Sequence, residues 1–279
     1  MSVCYMNGKY LPVTEATLPI TDMAVQRGVA VFESIRIYEG RLFAAEEHLS
    51  RFARSAEGAG IEAQSIIERE LQQIISRGLK EAGCPKDGLV KPYLTGGDIN
   101  NKGHFPSPRL FVIFDEIRKT SEEERKNGAV LEPNYTARPF PLYKSTNYLF
   151  GLIAMAQGKE QAHESLYMPH GEITESMTNN FFLCHSGKII TAPTGRVLAG
   201  VTRNIVLELA KKLGFKTEER CPKTEELKTA DEAFITGTVN EVLAVTKIGS
   251  SVIGDGKPGP VSQKLYEAFL RELPNRLTE

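Results

Sequence analysis

The chain has 279 residues, of which 41% are hydrophobic and 25% charged, with a formal net charge of −1. That length can bury one large core or two modest ones, and the composition is that of an ordinary globular protein. A balanced charge provides no long-range field to recruit nucleic acid or an anionic membrane, so any anionic ligand has to be caught by a few local groups.

The four cysteines, Cys4, Cys84, Cys184 and Cys221, lie far apart and form no CxxC pair. This predicts neither a metal site nor a disulfide framework and fits a reducing compartment. The opening stretch MSVCYMNGKYLPVTEATLP lacks a basic region followed by a long apolar run, so no secretory signal is read there. No segment approaches the roughly 20 apolar residues of a membrane span. The expected location is the cytoplasm.

In chain order, VCYM and KYLPV flank Asn7-Gly8, a dipeptide suited to a two-residue primed turn. VFESIRIYEGRLFAA reads as a second hairpin hinged near Glu39-Gly40. Its alternation places Phe32, Ser34, Arg36 and Tyr38 on one face and Ile35 and Ile37 on the other. A face that mixes serine and arginine with aromatics suits a pocket lining better than a core. EEHLSRFARSAEGAG follows as a short helix with Leu49, Phe52, Ala53 and Ala56 inward. Ile66, Ile67, Leu71, Ile74, Ile75 and Leu79 then recur at helical spacing between about Glu62 and Ala82. LVKPYLTGG and RLFVIFDEI read as strands, with Pro92 predicting an edge or bulge position for the first.

The charged run from Arg118 to Gly128 has no apolar period and reads as a solvated helix turn or loop. The expected organisation is an N-terminal α/β domain over 1–118, a linker over 119–130 and a C-terminal α/β domain over 131–279. In the second half, ESLYMP and EITES flank a turn at His170-Gly171, and NFFLCHS and KIIT flank Ser186-Gly187. TRNIVLELAKKLG and VSQKLYEAFLREL are amphipathic helices, while EAFITGT and EVLAVTKIG read as buried strands. Without a steady βαβ rhythm, the fold class is α+β, or irregular α/β.

There is no GxxxxGK[ST], HExxH, GxGxxG or GxSxG, which leaves common nucleotide, zinc and serine-hydrolase chemistries without support. Four other features carry chemistry. Lys144, in RPFPLYKSTNYLFGLIA, precedes an apolar run, and partial burial there makes a lysine a useful nucleophile. Taken alone, it reads as solvated charge. Glu175, in GEITESMTNNFFL, lies on a short strand with Glu172 and needs a partner if it points inward; an exposed strand glutamate is the plain alternative. Gly200 precedes a helix whose first turn holds Val201, Thr202 and Arg203. Free backbone N–H groups and the dipole make such a start a phosphate site, unless Thr202 only caps its own helix. Arg51 offers a guanidinium fork suited to phosphate, or simply a solvated helix side chain. Together, a lysine, an inward carboxylate, a helix N-terminus and an arginine are what pyridoxal 5'-phosphate needs.

These motifs resemble the class IV aminotransferases, the fold-type IV family of pyridoxal-phosphate enzymes. That family holds branched-chain aminotransferases, D-amino acid aminotransferases and aminodeoxychorismate lyases. The resemblance is carried in order by RGVAVFESIRIYEGRLF, HLSRFARSA, KSTNYL, GEITESMTNNFF, IIT, LAGVTR and GTVNEV. It implies a two-domain fold-type IV architecture with the cofactor in the C-terminal domain. It also implies that Lys144 binds the cofactor covalently and shuttles the proton, and that Glu175 pairs with the pyridine nitrogen. Arg51, Val201, Thr202 and Thr238 would hold the phosphate, and Tyr148 would reach the phenolic oxygen.

Substrate contacts are expected from Phe32, Ser34, Arg36 and Tyr93, with Arg36 helping to bind a carboxylate. The expected partners are an amino acid and a 2-oxo acid, with a second copy of the chain as a homodimer. Met177 departs from the family's small residue, which puts packing near the ring in question. YLTGGD lacks the arginine by which D-amino acid aminotransferases hold a substrate carboxylate. FESIR resembles the branched-chain FEGIR, whereas the Lys-to-Asn spacing of KSTN resembles the D-amino acid and lyase branches. A transaminase acting on a branched-chain-like hydrophobic amino acid is the leading expectation; pyruvate elimination and D-amino acid transamination remain alternatives.

Overall fold

A computed structural model of the chain describes residues 2–63, 67, 69–158 and 161–278. They divide into two units. The first gathers the chain up to Arg118, together with Tyr143–Asn147 and the stretch from Asn275; the second holds Lys119–Leu142 and Tyr148–Pro274.

The first unit is built on an eight-stranded sheet. Its strands are β1 (Val3–Met6), β2 (Lys9–Pro12), β3 (Ala30–Phe32), β4 (Ile35–Tyr38), β5 (Arg41–Phe43), β6 (Asp87–Asp98), β7 (Ser107–Asp115) and β16 (Leu277–Thr278). The order is β16-β5-β4-β6-β7-β1-β2, and β3 pairs β6. Helix α1 (Met23–Arg27) starts on Asp22, whose carboxylate accepts from the Ala24 N–H. One face of the sheet buries Val31, Ile35, Ile37, Val90, Leu94, Val112 and Phe114 against α2 (Ala45–Gly58) and α3 (Leu71–Glu81). The helix expected over Glu62–Ala82 is described as α3 for its C-terminal part, and Ile66 lies outside the described residues.

Turn chemistry sets the hairpins. At Asn7-Gly8, Glu39-Gly40 and Ser186-Gly187 both central residues have positive φ (51° and 80°, 50° and 79°, 50° and 72°), the primed geometry that matches strand twist. Pro92, by contrast, sits in the central strand β6 rather than on an edge. The Glu33 N–H donates to the Pro92 carbonyl at 2.9 Å, but proline has no N–H to return the second bond of that antiparallel pair. The break between β3 and β4 falls at Glu33-Ser34, where the missing donor costs no ladder bond.

The second unit carries another eight-stranded sheet, in the order β12-β11-β10-β13-β14-β8-β9, with β15 on β14. Its strands are β8 (Ala129–Asn134), β9 (Glu164–Tyr167), β10 (Asn180–His185), β11 (Lys188–Thr191), β12 (Lys216–Glu219), β13 (Glu232–Gly237), β14 (Glu241–Ile248) and β15 (Ser251–Val252). Its helices are α4 (Glu122–Asn127), α5 (Leu149–Gln157), α6 (Val201–Lys212) and α7 (Pro260–Glu272). Parallel and antiparallel pairings mix in this sheet, so the fold is α+β. Its core joins Leu131, Leu166, Phe181, Leu183, Ile235, Leu243 and Val245.

Within residues 119–130 the charged run forms a short helix with no buried residue. Ser121 accepts from the Glu124 N–H while Glu124 accepts from the Ser121 N–H, a complete capping box that starts α4. Strand β8 then begins at Ala129, in the sheet of the second unit. The approach to Lys144 passes Pro139 and Pro141. It bends at Phe140, which has φ 49°. Glu172 and Glu175 do not lie on a regular strand: they follow a turn over Pro169–Gly171 and make isolated bridges to Lys223 and Asn180.

Candidate active site

In the first unit the two faces of the sheet have different work. The alternate positions opposite the core carry Phe32, Arg36, Tyr93, Thr95, Arg109 and Phe111. Phe32, Tyr93 and Phe111 are cross-strand neighbours, and their rings stack as a ladder: 5.2 Å and 12° for the first pair, 4.8 Å and 7° for the second. The chain at Lys144 runs beside β3. Its carbonyl accepts from the Phe32 N–H at 2.9 Å, and its own N–H donates to Ser55 Oγ at 3.1 Å. Lys144 is 8% exposed, with Nζ 4.7 Å from the centroid of the Phe32 ring. The lysine is therefore a buried, positioned amine and not surface charge.

Helix α2 turns a polar edge toward the same region. His48, Arg51 and Ser55 recur at helical spacing and are all buried. Arg51 Nε and Nη2 donate to the two oxygens of Glu33 at 2.8 and 2.7 Å, and His48 Nδ1 lies 3.2 Å from Glu33 Oε1. Burial alone would raise the Glu33 carboxyl, but Arg51 and His48 outweigh it and hold it far below the ordinary carboxylate range. Burial lowers His48 and keeps its ring neutral; the charges of Arg51 and Lys144 act in the same direction, while Glu33 opposes them. Arg51 was expected to meet phosphate directly. The structure gives its fork a protein carboxylate as well, which orients the guanidinium.

Arg36 is a correction. It is 3% exposed, donates through Nε and Nη2 to Asp87 Oδ1 at 3.2 and 2.9 Å, and lies over the Tyr38 ring. A guanidinium committed in this way is not poised for a substrate carboxylate. Arg109 is committed likewise, to buried Asp22 at 2.8 Å and to Asp98. Ser34 is half-buried beside Glu33, and its N–H donates to Glu33 Oε1 at 2.8 Å.

In the second unit Glu175 is 2% exposed. Its Oε1 accepts from Arg138 Nη1 at 2.9 Å, and its Oε2 accepts from the Leu198 N–H at 3.2 Å and from Asn180 Nδ2 at 3.4 Å. Burial opposes the charge of Arg138, but Glu175, with Tyr148 and Tyr167, outweighs it and holds the arginine raised. Tyr148 stands at the start of α5 and belongs to the electrostatic surroundings of Arg138. Met177 fits because α5 has no side chain at Gly151: a Cβ there would lie 2.6 Å from the methionine sulfur.

Asn180 Nδ2 also donates to the Leu198 carbonyl at 2.9 Å, just before α6. Gly200 caps that helix without any side-chain hydrogen bond, so Thr202 does not cap it. Val201 and Thr202 are buried in its first turn, where the N–H groups look for an acceptor. Thr236, cross-strand partner of Asn180, has a buried hydroxyl without a partner among the described residues. Thr238 lies in the half-buried turn after β13. An uncapped helix start, an orphaned hydroxyl and a carboxylate held in a fixed orientation fit the phosphate and the protonated ring nitrogen of pyridoxal phosphate.

Sequence reading found Lys144, Glu175 and the α6 start but assigned no role to Glu33, His48, Phe111 or Arg138. The pair His48 and Arg51 was visible as spacing in HLSRFARSA. The carboxylates and rings that complete these sets lie on other elements.

The fold and these residues define a pyridoxal-phosphate enzyme of fold type IV. The chain belongs to the class IV aminotransferases: the family model described as amino-transferase class IV matches residues 30–248. It is similar to the D-alanine aminotransferase of Bacillus licheniformis, 31% identical over 268 residues that cover 94% of each chain. The branched-chain-amino-acid aminotransferase-like protein 1 of Arabidopsis thaliana is 30% identical over 278 residues, 96% of this chain and 50% of that one. Among solved structures, a T.th. branched-chain amino acid aminotransferase with pyridoxamine 5'-phosphate superposes with a TM-score of 0.88 at 28% identity, covering 99% of this chain and 97% of that one. The Escherichia coli branched-chain amino acid aminotransferase gives 0.83 at 25% identity, covering 100% and 96%. The protein is thus a pyridoxal-phosphate-dependent transaminase. Among the described residues no helix is long and apolar enough to cross a membrane.

Proposed function

We propose that the enzyme transfers an amino group between an amino acid with a hydrophobic side chain and a 2-oxo acid. The observation that carries this reading is the stacked Phe32–Tyr93–Phe111 ladder on the face that bears Lys144. It offers an apolar wall, while Arg36 and Arg109 on that face are spent on Asp87, Asp22 and Asp98.

In this reading Lys144 would hold the cofactor through Nζ, and its amine would move the substrate's α-proton. Glu175, fixed by Arg138, would keep a proton on the ring nitrogen. Arg51, the N–H groups of Val201 and Thr202, and Thr238 would hold the phosphate, and Tyr148 would reach the phenolic oxygen. Phe32, Ser34 and Tyr93 line the substrate. When bound, pyridoxal 5'-phosphate supplies the electron sink that makes the α-proton acidic. The N-terminal and C-terminal domains are taken as 1–118 and 131–279, with the qualification that Tyr143–Asn147 and the stretch from Asn275 pack with the first.

A homodimer is part of the proposal. Helix α5 is apolar nearly all round, and Leu149, Phe150, Leu152 and Ile153 are between 44% and 65% exposed, a face that a second copy would cover. Light scattering on the purified protein tests this. Free cysteines throughout support a cytoplasmic setting.

A second reading, a D-amino acid donor, is favoured by the likeness to D-alanine aminotransferases, although Thr95 stands in the strand where that branch carries an arginine. Half-reactions with L- and D-amino acid panels, followed by the cofactor's absorbance, decide between them. Turnover with L-leucine or L-phenylalanine supports the first reading, and turnover with D-alanine alone overturns it. Pyruvate release from aminodeoxychorismate without an amino acceptor would instead make the enzyme a lyase.

A further inference from the structure

Glu164 is a buried carboxylate that the reaction as proposed does not use. It begins β9, is 2% exposed, and gathers the turn that follows Glu175. Its Oε1 accepts from Ser176 Oγ at 2.5 Å and from Asn179 Nδ2; its Oε2 accepts from the N–H of Thr178 at 2.8 Å and from Thr178 Oγ1 at 2.7 Å. Three of the residues between Glu175 and Asn180 are thereby tied to one side chain. Backbone bonds set the same turn against β9: Tyr167 N–H to the Glu175 carbonyl, and Met177 N–H to the Ser165 carbonyl. At the far end Asn179 Oδ1 accepts from Asn240 Nδ2 at 3.2 Å, in the turn that also carries Thr238.

The chemistry of the partners explains why a carboxylate stands here. Every group aimed at Glu164 in these contacts is a donor, and a carboxylate has acceptor sites for all of them. An amide would present its own NH₂ to some of those donors and leave a buried N–H without a partner, at a cost of about 1–3 kcal/mol. The bonds are spent on residues whose neighbours, Glu175 and Asn180, touch each other and hold Leu198 and the start of α6.

We propose that Glu164 is a positioning residue for the cofactor site, fixing the 175–180 turn so that the Glu175 carboxylate keeps the orientation in which it would meet the ring nitrogen. The inference rests on the role assigned to Glu175. It acts through that residue and touches no reacting atom.

The test is a double-variant cycle with two readouts: titration calorimetry of the apoprotein with pyridoxal 5'-phosphate, and the pH titration of the bound cofactor's visible absorption. Glu164→Gln is expected to weaken cofactor affinity about tenfold, the scale of a small misplacement in a preorganised site. It should shift the midpoint of the absorption titration in the same direction as Glu175→Gln. In the Glu175→Gln background it should shift that midpoint no further. A Glu164→Gln protein with a lower thermal midpoint but wild-type affinity and absorption overturns the inference, as does a shift that adds in full to that of Glu175→Gln. Absence of any shift in Glu175→Gln alone overturns the role of Glu175 itself. Thr178→Val guards against a folding failure, because Thr178 is exposed; a smaller shift in the same direction supports the inference, and no shift counts against it.

Discussion

Glu33 and Arg51 meet fork to fork inside the first unit, two N–H donors on two carboxylate oxygens, with both side chains almost wholly removed from solvent. Such a pair adds little net stability over an apolar replacement, but breaking it leaves an uncompensated buried charge. Glu33→Ala should therefore destabilise the apoprotein by about 3–5 kcal/mol in urea unfolding. Glu33→Gln, which keeps the shape, should cost less and still weaken cofactor binding as the guanidinium loses its orientation. Wild-type phosphate affinity in both variants would rule out this orienting role.

The same pair sets an acid response. The Glu33 carboxyl is held far below its ordinary value in the fold, so the unfolded chain takes up that proton first as pH falls. Its stabilisation is whole above the unfolded value, about 4.3, and is lost progressively below it. Unfolding free energy measured from pH 6 to 3 should fall less steeply for Glu33→Gln than for wild type. Parallel curves would refute the linkage.

His48 responds in a different window. Its folded value is lowered, chiefly by burial, so again the unfolded chain protonates first, near pH 6.5. Stability is full above that pH and declines as pH drops toward the folded value. NMR of the His48 ring should show it titrating below the ordinary histidine value, and His48→Gln should remove part of the slope that begins below about pH 6.5. A ring that titrates at or above its ordinary value would reverse the sign and sink the prediction.

Arg138 is the cation that donates to Glu175, and the other donors described on that carboxylate, Asn180 and the Leu198 N–H, are neutral. Arg138→Met should lower kcat by about 10²-fold, the usual effect of removing one preorganised charged contact. Substrate KM should change little. Arg138→Lys should restore only part of the rate, since an ammonium does not reproduce the guanidinium's planar donor geometry. A kcat within twofold of wild type would make the pair purely structural.

Gly200→Ala probes the approach of α6 to Asn180. The backbone there suits any residue, but an added Cβ would lie 1.9 Å from Asn180 Oδ1. The expected result is a destabilisation of about 1–3 kcal/mol from overpacking, together with weaker affinity for pyridoxal 5'-phosphate as Asn180 is pushed from Glu175 and Leu198. Calorimetric titration showing wild-type affinity would argue against a shared site.

Much of this was legible in the residues, for identifiable reasons. Turns such as Asn7-Gly8 could be read because few residues accept positive φ. Lys144 and Glu175 could be singled out because pyridoxal 5'-phosphate asks for a lysine and an inward carboxylate, and both side chains are buried. What could not be read depends on partners distant in the chain. Pro92 looks like an edge residue until Glu33 is found opposite it. Arg36 looks like a substrate ligand until Asp87 is found within its reach. The charged run after Arg118 could be read only as a helix turn or a loop, because Ser121 and Glu124 satisfy each other without any apolar stripe to decide between them.

The β16–β5 pairing bears on the order of events during synthesis. Leu277 and Thr278 pair with Phe43 and Leu42, and the Ala44 N–H donates to the Arg276 carbonyl. The Thr278 contact to Leu42 spans 236 residues of chain. While the ribosome is still translating the second unit, β5 waits as an exposed edge, open to pairing with a neighbouring nascent chain. The sheet of the first unit therefore closes only after the second unit has been synthesised.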